Sequence, residues 1–595
     1  MLTPLIGFII GFILLELCFG MYVNRIVSSF FFNIYQVKDN FFYILGLTLI
    51  SISLMIGMAG YLSYVTAYQL KTVRILLGVI GFLFLTFGFL QSFNIIKNLK
   101  KYFNPFSYLI STKLILSVLA ITILFSIFLI SFFDSNYGGD AFMYHLPFAA
   151  RIWNIITPEE YSFEYYTEHR FLGFPLFANW LQGLFWKLFQ KPEATNLVSY
   201  LSLLTIISYL KLYLKIPFYM ASLSLLAIPM VHMHAARSYI DLPGNIAVSI
   251  LILTTYCLYI NKNSLKSKNL LIIFISPTIA ANTKFQLIPV VFIVLCFVLF
   301  KIKVIFLENK KNFPKLFRSV TLCLLASLIV FFTPIKNTVI YSNPFYPVEI
   351  KVAEFVLNNK ETPPDFMHEN IRKLSPYLRW GRSILEIDVF DDRRPWPWTL
   401  GMDFISWDEE KFGLGGYFGS YVIFNFLLFI YLCWKNYSLE AKVASSVMAL
   451  MTVITPLFPQ SYELRYYMYW MIVFVSLNSF LTCQLVQKSS QKVINPKNIT
   501  LIATFFVMTF IIKTKFFFTI PEFASFNKQI MREDIVDQNI LRSINNGDNV
   551  CIVNKAPHTF LYSSHFYSPN KYSVKAEFNI DLNEEECKGR KILKN

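Results

Sequence analysis

Apolar runs of about 20 residues with almost no charge recur along nearly the whole chain, and they limit what it can fold into. In hydrocarbon, backbone polar groups are satisfied only inside a helix or a closed barrel, so runs of this length read as membrane-crossing helices. Candidate spans are 2–22, 42–62, 75–95, 114–133, 195–213, 218–231, 242–261, 269–282, 286–302, 319–335, 417–434, 443–459, 466–486 and 499–513. That predicts an all-α polytopic membrane protein of about 14 transmembrane helices, several short enough to be tilted or broken. Composition enters at one point: only 15% of the 595 residues are charged, where a soluble domain carries about a quarter. With 62 Phe and 34 Tyr, a disordered or fibrous chain is excluded.

The formal charge is 53 − 36 = +17. Nucleic-acid binding would gather Lys and Arg on one soluble module beside stacking aromatics. Here they fall in short clusters between the apolar runs. Lys97, Lys100, Lys101 and Lys113 form one, and Lys262, Lys266 and Lys268 a second. A third spans 301–318, and Lys488, Lys492 and Lys497 form the last. Short basic loops stay in the cytoplasm. That leaves the acidic segment 134–171, the Trp- and Tyr-rich segment 336–415 and the tail outside. The run 172–189, opening with Gly173 and Pro175, would break this parity if it crossed, so it reads as a juxtamembrane or re-entrant helix. The first apolar run lacks a basic n-region and a cleavage site and reads as an anchor.

The chain therefore divides into three parts. Residues 1–113 are N-terminal helices additional to the core; 114–514 are the core, with external loops 134–194 and 336–416. Residues 515–595 are a small extracytoplasmic α/β appendage, with a helical pattern over 533–544 and a strand at Val550–Val553. Cys551 and Cys587 in that tail could pair if it is extracytoplasmic. Cys18, Cys257, Cys296, Cys323, Cys433 and Cys483 lie in or beside apolar runs without CxxC spacing and read as small buried hydrophobes.

Most polar residues that interrupt apolar sequence collect on the outer side of this scheme. They are Asp140 and His145 in Gly139-Asp-Ala-Phe-Met-Tyr-His-Leu-Pro147, and Arg237 and Asp241 in Arg237-Ser-Tyr-Ile-Asp241. Lys284 follows at a hairpin tip, then Asn337 and Asn343 at the opening of the second long loop, and Arg465 with Tyr466 before a late span. Ionisable groups near the bilayer are expensive, which makes each a functional candidate. Each also has a bland reading: Asp140 as a loop acid or helix N-cap, Lys284 as a snorkelling side chain, Arg465 as an interfacial anchor. His232 and His234, at i and i+2, fall on different helix faces and read as structural. His368, His558 and His565 form no ligand pattern. Asp391-Asp392 could hold a divalent cation but reads as an ion-pair cluster beside Arg393 and Arg394.

The ordered set of motifs, from about residue 114 onward, resembles the GT-C superfamily of integral-membrane glycosyltransferases, and within it bacterial relatives of the protein mannosyltransferase and aminoarabinose transferase families. The resemblance implies a polyprenyl-phosphate sugar donor and an extracytoplasmic acceptor: a lipid-linked glycan, lipopolysaccharide or protein. It implies Asp140 as general base and Lys284 and Arg465 as donor-phosphate ligands, with His145, Arg237, Asp241, Asn337, Asn343 and Tyr466 positioning substrate. The second loop, with Trp380, Trp396, Trp398 and Trp407, would close over the acceptor. Attack by the activated acceptor itself would invert the anomeric centre. The expected location is a bacterial inner (plasma) membrane, the site facing the periplasm or exterior. Membrane lipids are the expected surroundings and nucleic acid is not a partner. The first loop has a single Asp where some relatives carry a double acidic motif, so no cofactor is assigned and a divalent cation stays open. Two rivals share the composition: a lipid-linked glycan flippase or other transporter, with repeats and midplane charges, and an O-antigen ligase or polymerase, relying on Arg and His of the later loop.

Overall fold

The computed structural model describes residues 112–135, 138–261, 267–307, 327–352, 354–361, 372–385, 416–488, 494–514, 521, 523–532, 535–553, 558–567, 569–578 and 587–594. The first three candidate spans, Asp391-Asp392, His368, Trp396, Trp398 and Trp407 lie outside the described residues.

The fold is mostly helical. Among the described residues six helices are long and apolar enough to cross a membrane: α1 (Thr112–Phe133), α8 (Asp241–Ile260), α10 (Ile288–Leu307), α13 (Gly416–Lys435), α14 (Leu439–Ile454) and α15 (Tyr469–Lys488). Two of them form the middle of the bundle. Protein buries 89% of the apolar window of α8 and 83% of that of α15, against 33–44% for the other four. That burial lets α8 carry polar residues in a hydrophobic setting. Ser249 and Thr254 are fully buried and donate back to the carbonyls of Asn245 and Ile250, at 2.7 Å each.

Shorter helices complete the bundle: α5 (Leu197–Leu212), α6 (Phe218–Leu226), α7 (Pro229–His234), α9 (Ser267–Ala281), α11 (Phe332–Tyr341) and α16 (Pro496–Thr514). The first long loop holds α2 (Leu146–Ile152) and α3 (Tyr165–Gly173), and the second α12 (Pro376–Leu385). The run 218–231 is two helices because Ile228 is extended (φ −85°, ψ 107°) ahead of Pro229, as a residue before proline tends to be. α14 stops short of 459 because Pro456 opens a 3₁₀ turn, Thr455–Leu457.

The segment 172–189 contains α4 (Phe177–Phe189), which begins and ends at one end of the bundle. The Phe177 amide donates to the Asn282 carbonyl at 3.0 Å, just past α9, while Lys191 donates to the Phe132 carbonyl at the end of α1. Both anchors are C-terminal helix ends on the side where α8 starts.

The tail folds together with the first long loop. Its sheet has order β1-β5-β4-β6, all parallel, and β1 (Tyr161–Ser162) belongs to the first long loop. Strands β4 (Asn549–Val553), β5 (Ser573–Glu577) and β6 (Lys591–Lys594) come from the tail, while β2 (Lys351–Val352) and β3 (Phe355–Val356) pair antiparallel in the second long loop. Loop and tail also share a hydrophobic core, in which Phe142, Phe148, Phe163 and Trp186 pack with Phe526, Val550, Phe560 and Phe566. Gln529 fixes the tail to the end of α1, accepting from the Ser135 amide at 2.6 Å and donating to the Phe133 carbonyl at 2.8 Å. Cys551 and Cys587 are joined by a disulfide.

Candidate functional site

The site is assembled where α1, α8, α9 and α15 meet at this same end. After α1 the chain passes Gly138 and enters a π-helical turn, Ala141–His145, with Asp140 directly ahead of it. Gly138 is demanded by a close contact, since a Cβ there would stand 2.4 Å from the Tyr239 hydroxyl. Single π turns inside helices recur at functional sites. Asp140 has helical dihedrals and makes no capping hydrogen bond, which removes the N-cap reading. Its Oδ2 accepts from Arg465 Nη1 at 2.9 Å instead.

Arg465 lies in a 3₁₀ turn, Leu464–Tyr467, just before α15. Its Nε faces Glu463 Oε2 at 3.4 Å and its Nη2 donates to the Tyr466 hydroxyl at 3.0 Å. One residue of α8 holds this turn in place. The buried Asn245 amide donates to the carbonyls of Asp241 (2.9 Å) and Arg465 (3.2 Å), and its Oδ1 accepts from the Tyr469 amide at 2.9 Å. Lys284, extended between α9 and a short 3₁₀ turn, pairs with the Asp241 carboxylate. Its ammonium rests 3.7 Å from the centre of the Tyr466 ring. Tyr466 thus touches both cations.

Asp140, Asp241, Lys284, Arg465 and Tyr466 are therefore brought together from four distant segments. Asp241 has Lys284 as its ion partner rather than the chain-near Arg237, which sits half-buried after α7. Side-chain exposure orders the cluster: Asp241 2%, Glu463 8%, Arg465 10%, Lys284 12% and Asp140 30%. Asp140 is the outermost member. Burial holds the Lys284 ammonium below its ordinary pKa, against the pull of Asp241, and pushes the Glu463 carboxyl up.

His145 is buried and neutral: desolvation lowers its pKa to about 4. The Asn179 amide nitrogen lies 3.1 Å from Nδ1 and 3.0 Å from Gln182 Oε1. The same amide lies 3.3 Å from the His145 carbonyl. Gln182 continues to the Ser238 carbonyl at 2.5 Å, so α4 ties the π turn to the segment leading into Asp241.

Asn337 and Asn343 spend their amides on backbone. Asn337 donates to the carbonyls of Gly173 (2.8 Å), Tyr346 (3.3 Å) and Pro344 (3.4 Å). Asn343 donates to Val348 (2.9 Å) and Asn358 (2.7 Å) and accepts from the Phe345 amide at 2.9 Å. They fasten the start of the second long loop, which reaches the cluster through Phe345 against Phe285, next to Lys284. A bidentate Arg170–Glu361 pair and the Tyr346 hydroxyl at 2.7 Å from His169 Nδ1 join the two long loops. Trp380 is buried edge-on against Trp470.

Sequence reasoning missed Asn179, Gln182, Asn245, Tyr239 and Glu463. The available signal was an amide pair at i and i+3, and an Asn four residues after an Asp, inside otherwise apolar helices. His232 and His234 are buried in α7. Among the described residues no group of three His, Cys, Asp or Glu is placed to hold a metal. An apolar pocket is lined by Phe177 and Leu181, Val198 and Leu201, Ile246 and Ile250, and Ile279. Its α8 residues face away from Asp241 and Asn245.

No protein-family model, curated protein or solved structure matches this chain.

Proposed function

We propose that this chain is an integral-membrane glycosyltransferase of the GT-C kind, moving a sugar from a polyprenyl-phosphate donor to an extracytoplasmic glycan, lipid or protein acceptor. The observation that carries the reading is the meeting of two ion pairs, Asp140–Arg465 and Asp241–Lys284, at one end of an apolar bundle. Ionisable groups drawn from separate helices into such a setting are costly to keep. Their position at one end, rather than at mid-bundle, favours an enzyme over a transporter.

In this reading Asp140 accepts the proton of the acceptor hydroxyl. The acceptor oxygen forms a bond to the anomeric carbon from the face opposite the phosphate. The bond from that carbon to the phosphate oxygen breaks, and its electron pair leaves on the polyprenyl phosphate. Arg465 and Lys284 stabilise the charge, Arg465 with a fork suited to two oxygens. Configuration inverts, because no enzyme nucleophile takes part. Residues 1–113 supply further spans, for about 14 in all. The site faces the exterior of a bacterial plasma membrane. Support for that side comes from the Cys551–Cys587 disulfide, a bond that persists in oxidising compartments, and from Lys301, Lys303 and Lys497 at the opposite ends of α10 and α16.

Mass spectrometry of lipid-linked glycans, surface glycans and glycoproteins tests the reading in three strains: with the gene, without it, and with Asp140→Asn. One glycosylated species should vanish in the second and fall about 10²–10⁴-fold in the third, the range for losing a general base. A wild-type profile in the Asp140→Asn strain rejects the assignment.

A further inference from the structure

We infer that Asp140 and the donor's phosphate compete for one seat on Arg465, so that arrival of the lipid phosphate is what frees the base. This rests on the glycosyl-transfer reading above and adds an order to it: lipid phosphate first, acceptor second.

Every nitrogen of the Arg465 guanidinium already faces a partner: Nε has Glu463, Nη1 has Asp140 and Nη2 has the Tyr466 hydroxyl. A phosphate that takes the guanidinium fork through Nη1 meets the Asp140 carboxylate there. Glu463 and Tyr466 belong to the same short turn as Arg465, closed by the Tyr466 amide on the Glu463 carbonyl at 3.0 Å, so the chain keeps them beside it. Asp140 is different. It reaches Arg465 from a segment 325 residues away and is the most exposed acid of the three. It also sits at the head of a π turn with no capping bond to hold it, after Gly138-Gly139.

Charge points the same way. Three carboxylates, Asp140, Asp241 and Glu463, already surround two cations, Lys284 and Arg465. A phosphate added without exchange would deepen that excess in a half-buried setting. Exchange replaces one anion by another at the guanidinium and moves the displaced carboxylate toward solvent, where the acceptor arrives. Before exchange, one oxygen of the carboxylate, Oδ2, is engaged by an N–H of Arg465.

The test is binding of a sugar-free polyprenyl phosphate to the full chain in lipid nanodiscs, with uncharged polyprenol as control. If the two anions compete, Asp140→Asn binds the phosphate about two- to fivefold more tightly than wild type, the worth of a partly exposed ion pair. Arg465→Gln weakens binding, and adding Asp140→Asn to Arg465→Gln gives no further gain. Equal or weaker binding by folded Asp140→Asn overturns the exchange while leaving the donor reading intact. If wild type does not prefer polyprenyl phosphate to polyprenol, the donor reading itself fails. Should Asp140→Asn not fold, the wild-type chain decides. Polyprenyl phosphate should raise carbodiimide-driven amine coupling at Asp140, read by peptide mass spectrometry; unchanged or reduced coupling rejects exchange.

Discussion

Asp241 and Lys284 form the deepest ion pair of the cluster, and each alone would be a buried charge without compensation. Asp241→Asn or Lys284→Met should therefore destabilise the chain by about 3–5 kcal/mol. The double variant Asp241→Leu with Lys284→Met should recover most of the lost thermal stability in detergent, since well-packed apolar pairs often substitute for buried ions. It should not recover glycan transfer. Recovery of both would assign the pair to architecture alone. Gly138 offers a second test at this scale. Ala in its place brings a Cβ within 2.4 Å of the Tyr239 hydroxyl, which itself packs beside His145 and Arg465. Gly138→Ala is expected to lower transfer at least about tenfold, a loss in keeping with displacing a catalytic group by a fraction of an ångström.

At the scale of elements, α8 and the turn before α15 are coupled through one amide. Asn245→Leu removes three hydrogen bonds, leaves the Tyr469 amide and the Arg465 carbonyl without this partner, and should cost about 2–4 kcal/mol. Transfer should fall with it, because the Arg465 turn loses its register. Both are measured by thermal unfolding and the glycan assay on the same preparation. The 3₁₀ turn Pro192–Asn196, which follows α4, carries a different signal. Burial pushes the Glu193 carboxyl up to about 7, and Oε2 has no hydrogen-bond partner among the described residues. The folded chain holds this proton more tightly than the unfolded one. Its stabilising contribution is therefore complete below the ordinary carboxyl value and lost as pH rises through about 7. Glu193→Gln, fixed in the neutral form, should match wild-type thermal stability near pH 5 and exceed it near pH 8. A parallel pH dependence in the two proteins would refute the account.

At the scale of the whole molecule, the tail and the first long loop are one folding unit resting on the π turn that follows Asp140. Phe142, two residues from Asp140, lies in their shared core, and the His558 ring packs against it at 5.7 Å. Loosening the tail should therefore be felt at Asp140. Replacing both Cys551 and Cys587 by Ser is expected to cost about 2–5 kcal/mol of local stability, to raise proteolytic cleavage between 521 and 594, and to reduce transfer. Increased cleavage with unchanged transfer would mean that the tail does not support the turn.

What was readable in the amino acids follows from the solvent. Lipid demands long contiguous apolar segments and penalises stray charge, so α1, α8, α10, α13 and α15 stand out, and so do Asp140, Asp241, Lys284 and Arg465 as exceptions within or beside them. Partnership was not readable. Asp241 lies four residues from Arg237, yet its ion partner is 43 residues away, because the ends of packed helices, and not chain neighbours, determine which side chains meet. Asn179, Gln182 and Asn245 were hidden for a related reason: one amide in an apolar helix is ordinary until packing reveals what it bonds. The two-residue strand β1 leaves no periodic trace, and its parallel pairing to β5 spans most of the described chain. Membrane crossing is thus a property of composition along single segments, whereas the site and the joining of loop to tail are contacts between segments that exist only once the bundle has closed.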